Sequence, residues 1–153
     1  MCHYPKGALG AFLLESLIVN KHKGLDKRIL KLIRIQASLS VNCPFCIDMN
    51  SENYSKFYIT SKELLSLQDE KLFNNIKSFS KKEKVCIQYS KLLSKSPVLV
   101  TDKIYSDLKI YFSESEIVAI DYTIAQVNFW ARLIQGLKIS PEGFSKDCVY
   151  DPN

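Results

Sequence analysis

With 153 residues, 46% of them hydrophobic and 24% charged, the chain is long enough for one domain. A domain of that size buries roughly 68–70% of its unfolded surface and needs no covalent staples. The net charge of +5 comes from lysines spread along the chain, which gives solubility and argues against a nucleic-acid-binding stripe. Five cysteines, an odd number at irregular spacing, argue against a disulfide framework.

The first apolar run, "ALGAFLLESLIV", carries Glu15 and Ser16 and is far shorter than the ~20 apolar residues that cross a bilayer. It has no small-x-small cleavage site. An amphipathic globular helix over 7–24 is expected, ending at Gly24 with Lys21, His22 and Lys23 in its last turn. A cytoplasmic protein with no membrane partner follows as an expectation.

The next segment gives two conflicting signals. "IRIQASLSV" alternates strictly, with Ile33, Ile35, Ala37, Leu39 and Val41 against Arg34, Gln36, Ser38 and Ser40, and period two means strand. A strand leading into C-x-x-C is the thioredoxin pattern, and "SPVLV" at 96–100 imitates that fold's proline and following strand. Against it, Asp26 can cap a helix carrying Ile29, Leu32, Ile33 and Gln36. Too few other strands are visible to build a sheet.

"VNCPFCIDMN" holds the chemistry. Proline is favoured in the first turn of a helix, so Pro44 places Cys43 at or just before a helix start and Cys46 one turn in. The unpaired N–H groups and dipole of a helix start lower a thiol pKa from about 8.5. A reactive dithiol is therefore expected. Half of a zinc site and inert packing are the alternatives, but the second ligand pair a structural zinc needs is missing.

Three capping boxes follow: Thr60 with Glu63, Ser80 with Glu83, and Ser113 with Glu116. Each opens an apolar helical run. Cys86, between Val85 and Ile87, reads as a small buried hydrophobe; Cys2 and Cys148 lie near the termini. Lys81, Lys82 and Lys84 read as a solvated helix start. The last helix is apolar around much of its circumference, so it is central or shared with another subunit, and it stops at Gly136 as a C′ residue. Trp130, Phe129, Tyr54, Phe57 and Tyr58 read as core or subunit contacts. Arg132 is expected to pair with a buried carboxylate or carbonyl. Asp48 should point off the face shared by the two cysteines.

"LIRIQASLSVNCPFCIDMNS" resembles the core motif of the carboxymuconolactone decarboxylase-like, alkylhydroperoxidase D-like family. "FSESEIVAIDYTIAQVNFWARLIQGLKIS" resembles that family's closing helix, including an Asn-x-x-x-Arg element at Asn128 and Arg132. "GLDKRILKLI" and "FSKKEKVCIQYSKLL" fit the pattern between them. The resemblance spans about 24–140, with 141–153 as a C-terminal tail of one domain over 1–153. It implies an all-α helical bundle of about six to eight helices and a homo-oligomer (dimer, trimer or hexamer). It implies a thiol-dependent peroxidase or disulfide reductase in which Cys46 attacks and Cys43 resolves. The substrate would be a small peroxide or disulfide, the reductant a dithiol or protein, with no cofactor, metal or nucleic acid. The family's histidine four residues after the second cysteine is here Asn50, and its glutamate twelve before the first is Lys31. Asparagine cannot shuttle a proton near neutral pH; Lys31 would stabilise a thiolate if it faces the site, and is otherwise a solvated surface lysine. A non-catalytic scaffold or assembly module of the same fold, or a thioredoxin-like protein, is the alternative reading.

Overall fold

The computed structural model describes residues 3–19 and 24–145. Eight α-helices are present among them: α1 Pro5–Leu13, α2 Lys27–Ser40, α3 Pro44–Ser51, α4 Ser61–Ser66, α5 Glu70–Asn75, α6 Lys81–Leu93, α7 Asp102–Lys109 and α8 Glu114–Gly136. A π-type segment, Leu14–Val19, continues α1, and a 3-10 turn spans Tyr54–Phe57. The described residues contain no strand, which removes the thioredoxin-like reading. The first helix is thus α1 plus the π-type segment. Its expected last turn, with Lys21, His22 and Lys23, lies outside the described residues, as do Cys2 and Cys148. No helix among the described residues is long and apolar enough to cross a membrane.

The helix at α2 explains the period-two pattern that suggested a strand. Ile29, Ile33 and Ala37 form one stripe, which packs on Cys86, Tyr89, Ile120, Ile124 and Val127 of α6 and α8. Leu32, Ile35 and Leu39 form a second stripe, which packs on Tyr54, Ile59, Leu64, Phe73, Phe79 and Ile87. Two helical stripes interleaved along one central helix place an apolar residue at nearly every second position. Period two is here the signature of a helix buried on two sides.

Every expected N-cap forms. Asp26 accepts from the Arg28 N–H at 2.7 Å, and the boxes at Thr60, Ser80 and Ser113 close in both directions. The glutamates of two boxes do more than cap. Arg28 of α2 donates Nη2 to Glu63 at 2.7 Å and Nε to Glu83 at 2.6 Å, and also bonds the Tyr58 carbonyl. One guanidinium therefore ties the starts of α4 and α6 to α2. The hydrogen bonds from Arg28 and from the cap N–H groups overcome burial and hold both carboxyls below their ordinary range.

Several expectations are corrected. Gly136 is the last residue of α8 and is helical; Lys138 takes the left-handed conformation (φ 56°), and the Ile139 N–H reaches back to the Ile134 carbonyl at 3.1 Å. The Schellman-type turn closes two residues later than the glycine suggested, because an L-residue tolerates a single left-handed position. Arg132 is exposed and donates to Ser96 Oγ at 3.0 Å, while Asn128 donates to Ser94 Oγ at 3.1 Å. The Asn-x-x-x-Arg element thus pins the turn after α6 to α8. Tyr58 and Phe129 are exposed, so neither belongs to the core of the single chain. Lys82 and Lys84 are not simply solvated: they lie over the rings of Phe112 and Phe73. Cys86 is a buried packing residue as expected, its thiol pushed up to about 12 by burial.

Candidate functional site

The cysteine pair sits at an elbow between two helices. Ser40 ends α2, and Asn42 adopts the left-handed conformation (φ 50°), one that asparagine tolerates better than other L-residues. The Cys43 N–H then reaches back to the Ser38 carbonyl at 3.3 Å, and Pro44 starts α3 at once. Cys43 is the N-cap of α3, so its Sγ accepts from the Cys46 N–H at 3.3 Å. A thiol here occupies the place that serine or aspartate takes at the other caps. Both sulfurs are buried, at 0% and 1% exposure, against Ala131 and Ile134 of α8. Ala131, completely buried, leaves room for the elbow to approach the long helix.

The two thiols are electrostatically unequal. The Cys43 thiol is pulled down to about 7, first by the hydrogen bond from the Cys46 side chain, against burial, then by the Cys46 N–H, the Gln135 side chain and the Phe45 N–H. The Cys46 thiol is pushed up, first by that same hydrogen bond, then by burial and by the charge on Cys43. The hydrogen bond between them couples the two thiols, so their titration belongs to the pair, and the helix start favours charge on Cys43.

Cys46, and not Cys43, lines a mostly apolar cavity of about 380 Å³. Its walls are Phe45, Met49, Val127, Trp130, Ile134 and Ile139, with Glu15, Arg34, Asn50 and Gln126 as polar members. Arg34 and Glu15 pair at 3.3 Å. Asn50 is buried and donates to Ser38 Oγ at 2.9 Å, and Ser38 in turn donates to the Arg34 carbonyl at 2.8 Å. Lys31 does not line this cavity. It faces an adjoining one of about 430 Å³ that shares Glu15, Arg34, Met49 and Asn50. Burial, then the nearby Arg34, lower its ammonium to about 8, and it lies 5.3 Å from the centre of the Phe57 ring. Trp130, read from the sequence as packing, is a wall of the Cys46 cavity. Gln126 and the Glu15–Arg34 pair were not foreseen. A glutamine within the buried stripe formed by Ile120, Thr123, Ile124 and Val127 was the available signal. No group of three or more His, Cys, Asp or Glu side chains that could hold a metal occurs among the described residues.

Asp48 points away from the cysteines, as expected, and has a definite task. Its Oδ2 accepts from the N–H groups of Glu142, Gly143 and Phe144 at 3.2, 2.7 and 3.0 Å, and its Oδ1 from Ser145 at 2.7 Å. Gly143 supplies the left-handed turn (φ 77°) that lets consecutive N–H groups converge on one carboxylate. Phe144 then meets Phe45 edge-to-face, at 5.9 Å between ring centres. The segment after α8 is thereby strapped over α3. Burial opposes the charge on Asp48, and the four N–H groups outweigh it, so the carboxyl lies below its ordinary value. A depressed carboxyl stabilises above its unfolded pKa and loses that contribution as pH falls through the folded value. Asp48→Asn is expected to cost about 1–3 kcal/mol and to speed hydrogen exchange at 142–145. Unchanged protection there would refute the strap.

The overall fold is shared with known structures. ATU0492 of Agrobacterium tumefaciens, a protein of unknown function proposed to be the antioxidant defence protein AhpD, superposes with a TM-score of 0.78. The match covers 90% of this chain and 91% of that one at 22% identity. The chain has the AhpD fold. The debrominase Bmp8 shares the AhpD fold too, with a TM-score of 0.80 at 18% identity over 93% of this chain and 74% of its own. A cysteine-to-alanine variant of Bmp8 is known in complex with 2,3,4-tribromopyrrole. Proteins with this fold thus include an enzyme. In sequence, the uncharacterized protein YdfG of Bacillus subtilis is 26% identical over 114 residues, covering 74% of this chain and 76% of YdfG. No family model matches the chain.

Proposed function

We propose that this protein is a thiol-dependent oxidoreductase that reduces a peroxide through a Cys43–Cys46 dithiol/disulfide cycle. One observation carries the reading. Cys46 lines an apolar cavity, and a second thiol, Cys43, caps the same helix start and accepts from the Cys46 N–H at 3.3 Å. The AhpD fold supports it.

The pair can supply its own proton transfer. In the resting state the anion sits on Cys43 and the proton on Cys46. Transfer of that proton to Cys43 creates the nucleophile at the cavity wall. The Cys46 thiolate attacks the distal peroxide oxygen, and the O–O bond breaks. Cys46 becomes a sulfenic acid, the leaving alkoxide is protonated by solvent to an alcohol, and Cys43 gives its proton up to solvent. The Cys43 thiolate then attacks the Cys46 sulfur, and hydroxide leaves and is protonated by solvent to water. The disulfide returns to the dithiol when an external dithiol gives up two electrons and two protons by exchange. Cys43 serves first as base, then as resolving thiol. Within this scheme neither Asn50 nor Lys31 needs to move a proton.

The titration of the pair tests this. Thiolate absorbance, taken as the difference between the parent and the double variant Cys43→Ser/Cys46→Ser, should show one ionisation near 7. Below that pH the pair is neutral and slow to alkylate; above it the pair carries one negative charge and reacts. Two ordinary thiols, each near about 8.5, would instead indicate a non-catalytic scaffold.

A further inference from the structure

Lys31 is a half-buried nucleophile that the dithiol cycle leaves unused. It lines the cavity of about 430 Å³ beside α2, next to the Cys46 cavity. Its Nζ lies 5.3 Å from the centre of the Phe57 ring, and no carboxylate among the described residues pairs with it or with Lys27. Lys27 stands four residues before it and Arg34 three after, so the three cations share one face of α2. All three line the cavity, against the single carboxylate of Glu15, which pairs with Arg34. Desolvation and a neighbouring cation are the two ways in which proteins free a lysine amine to act as a nucleophile. Both act on Lys31. Burial first, then Arg34, lower its ammonium to about 8, against a smaller opposing pull from Glu52.

We propose that Lys31 captures a 2-oxo acid as an imine in the cavity beside α2. This goes beyond the thiol-oxidoreductase reading and does not depend on it. The neutral amine adds to the ketone carbon, and the carbinolamine loses water. A C=N bond replaces the C=O bond with no change of oxidation state, and protons are exchanged with solvent. The carboxylate beside the ketone supplies the anion that this cavity lacks, and Lys27 is the cation free to receive it. The protonated imine keeps a positive charge near the face of Phe57, where the ammonium was. A neutral ketone leaves Lys27 without a counter-charge, and a carboxylate without a carbonyl binds but forms no covalent bond.

Pyruvate and methyl pyruvate, which is the same ketone without the charge, are each incubated with the protein and cyanoborohydride near neutral pH. The reduced adducts are located by peptide mass mapping, with the other lysines as internal standard. Lys31 should carry about tenfold more pyruvate label than the average lysine, because a lowered amine pKa leaves more free base near neutral pH. Lys31→Arg keeps the charge over Phe57 but forms no imine, and its intact mass should lack the parent's dominant adduct. Label spread evenly over the lysines, or equal total labelling of the arginine variant, overturns the capture. In Lys27→Gln the ratio of pyruvate to methyl pyruvate label at Lys31 should fall by about threefold, the scale of one partly screened charge pair. An unchanged ratio overturns the 2-oxo acid as the ligand class.

Discussion

Cys46→Ser is expected to abolish peroxide turnover, by roughly 10³-fold or more, because a serine hydroxyl at this position has no base able to ionise it. Cys43→Ser should fail differently. It removes both the proton acceptor and the resolving thiol, so the first attack slows by about 10²–10⁴-fold, the usual worth of general base assistance. The reaction then stops after one turnover with a sulfenic acid on Cys46, which dimedone would label. Cys86→Ala, in the core away from the cavity, should leave turnover unchanged. Reduction of peroxide by Cys46→Ser at the parental rate would remove the proposed mechanism. A dimedone adduct on Cys43 in Cys46→Ser would reverse the roles of the two thiols. The proposed roles start from the geometry: Cys43 caps the start of α3, and Cys46 lines the cavity.

The largest stability effect is expected at Arg28. Arg28→Met removes one cation and leaves two buried glutamates, Glu63 and Glu83, without their partner. Breaking a buried ion pair from one side typically costs about 3–5 kcal/mol, much of it the penalty of the stranded charge. At about 2–4 °C per kcal/mol for a chain of this size, Tm should fall by roughly 10 °C. The pH dependence has a definite sign. Both carboxyls lie below their ordinary range, so their contribution is present above the unfolded glutamate pKa, about 4.3, and is lost as pH falls through the folded values. The Tm difference between parent and variant should therefore shrink on acidification below that range. A constant difference would mean that Arg28 acts through packing and not through its charge.

Local features were legible because their determinants lie within a few residues of one another. A cap needs only an oxygen and a glutamate three positions on, and all three boxes formed. Pro44 fixed the start of α3, and with it the place of Cys43. The reading of 33–41 was harder, since Leu32, Ile35 and Leu39 serve one core while Ile33 and Ala37 serve another. No local rule separates a strand from a helix buried on both sides. The end of α8 was misread for a related reason: Gly136 is permitted to turn, but Lys138 is where the chain turns.

The candidate site divides the same way. Sequence alone determined the helix starts, the place of the C-x-x-C pair at one of them, the packing role of Cys86 and the direction of Asp48, each from spacing along one helix; the all-α architecture came from the resemblance. Only the tertiary structure decided which sulfur meets a cavity, that Trp130 and Gln126 of α8 form its wall, and that Arg28 joins two capping boxes 35 and 55 residues away. These are contacts between distant segments, whose energy depends on burial and exact separation. A hydrogen bond between side chains far apart in the chain leaves no period in the sequence. An amine half-buried between cations leaves still less, because its state becomes visible only when its surroundings are known.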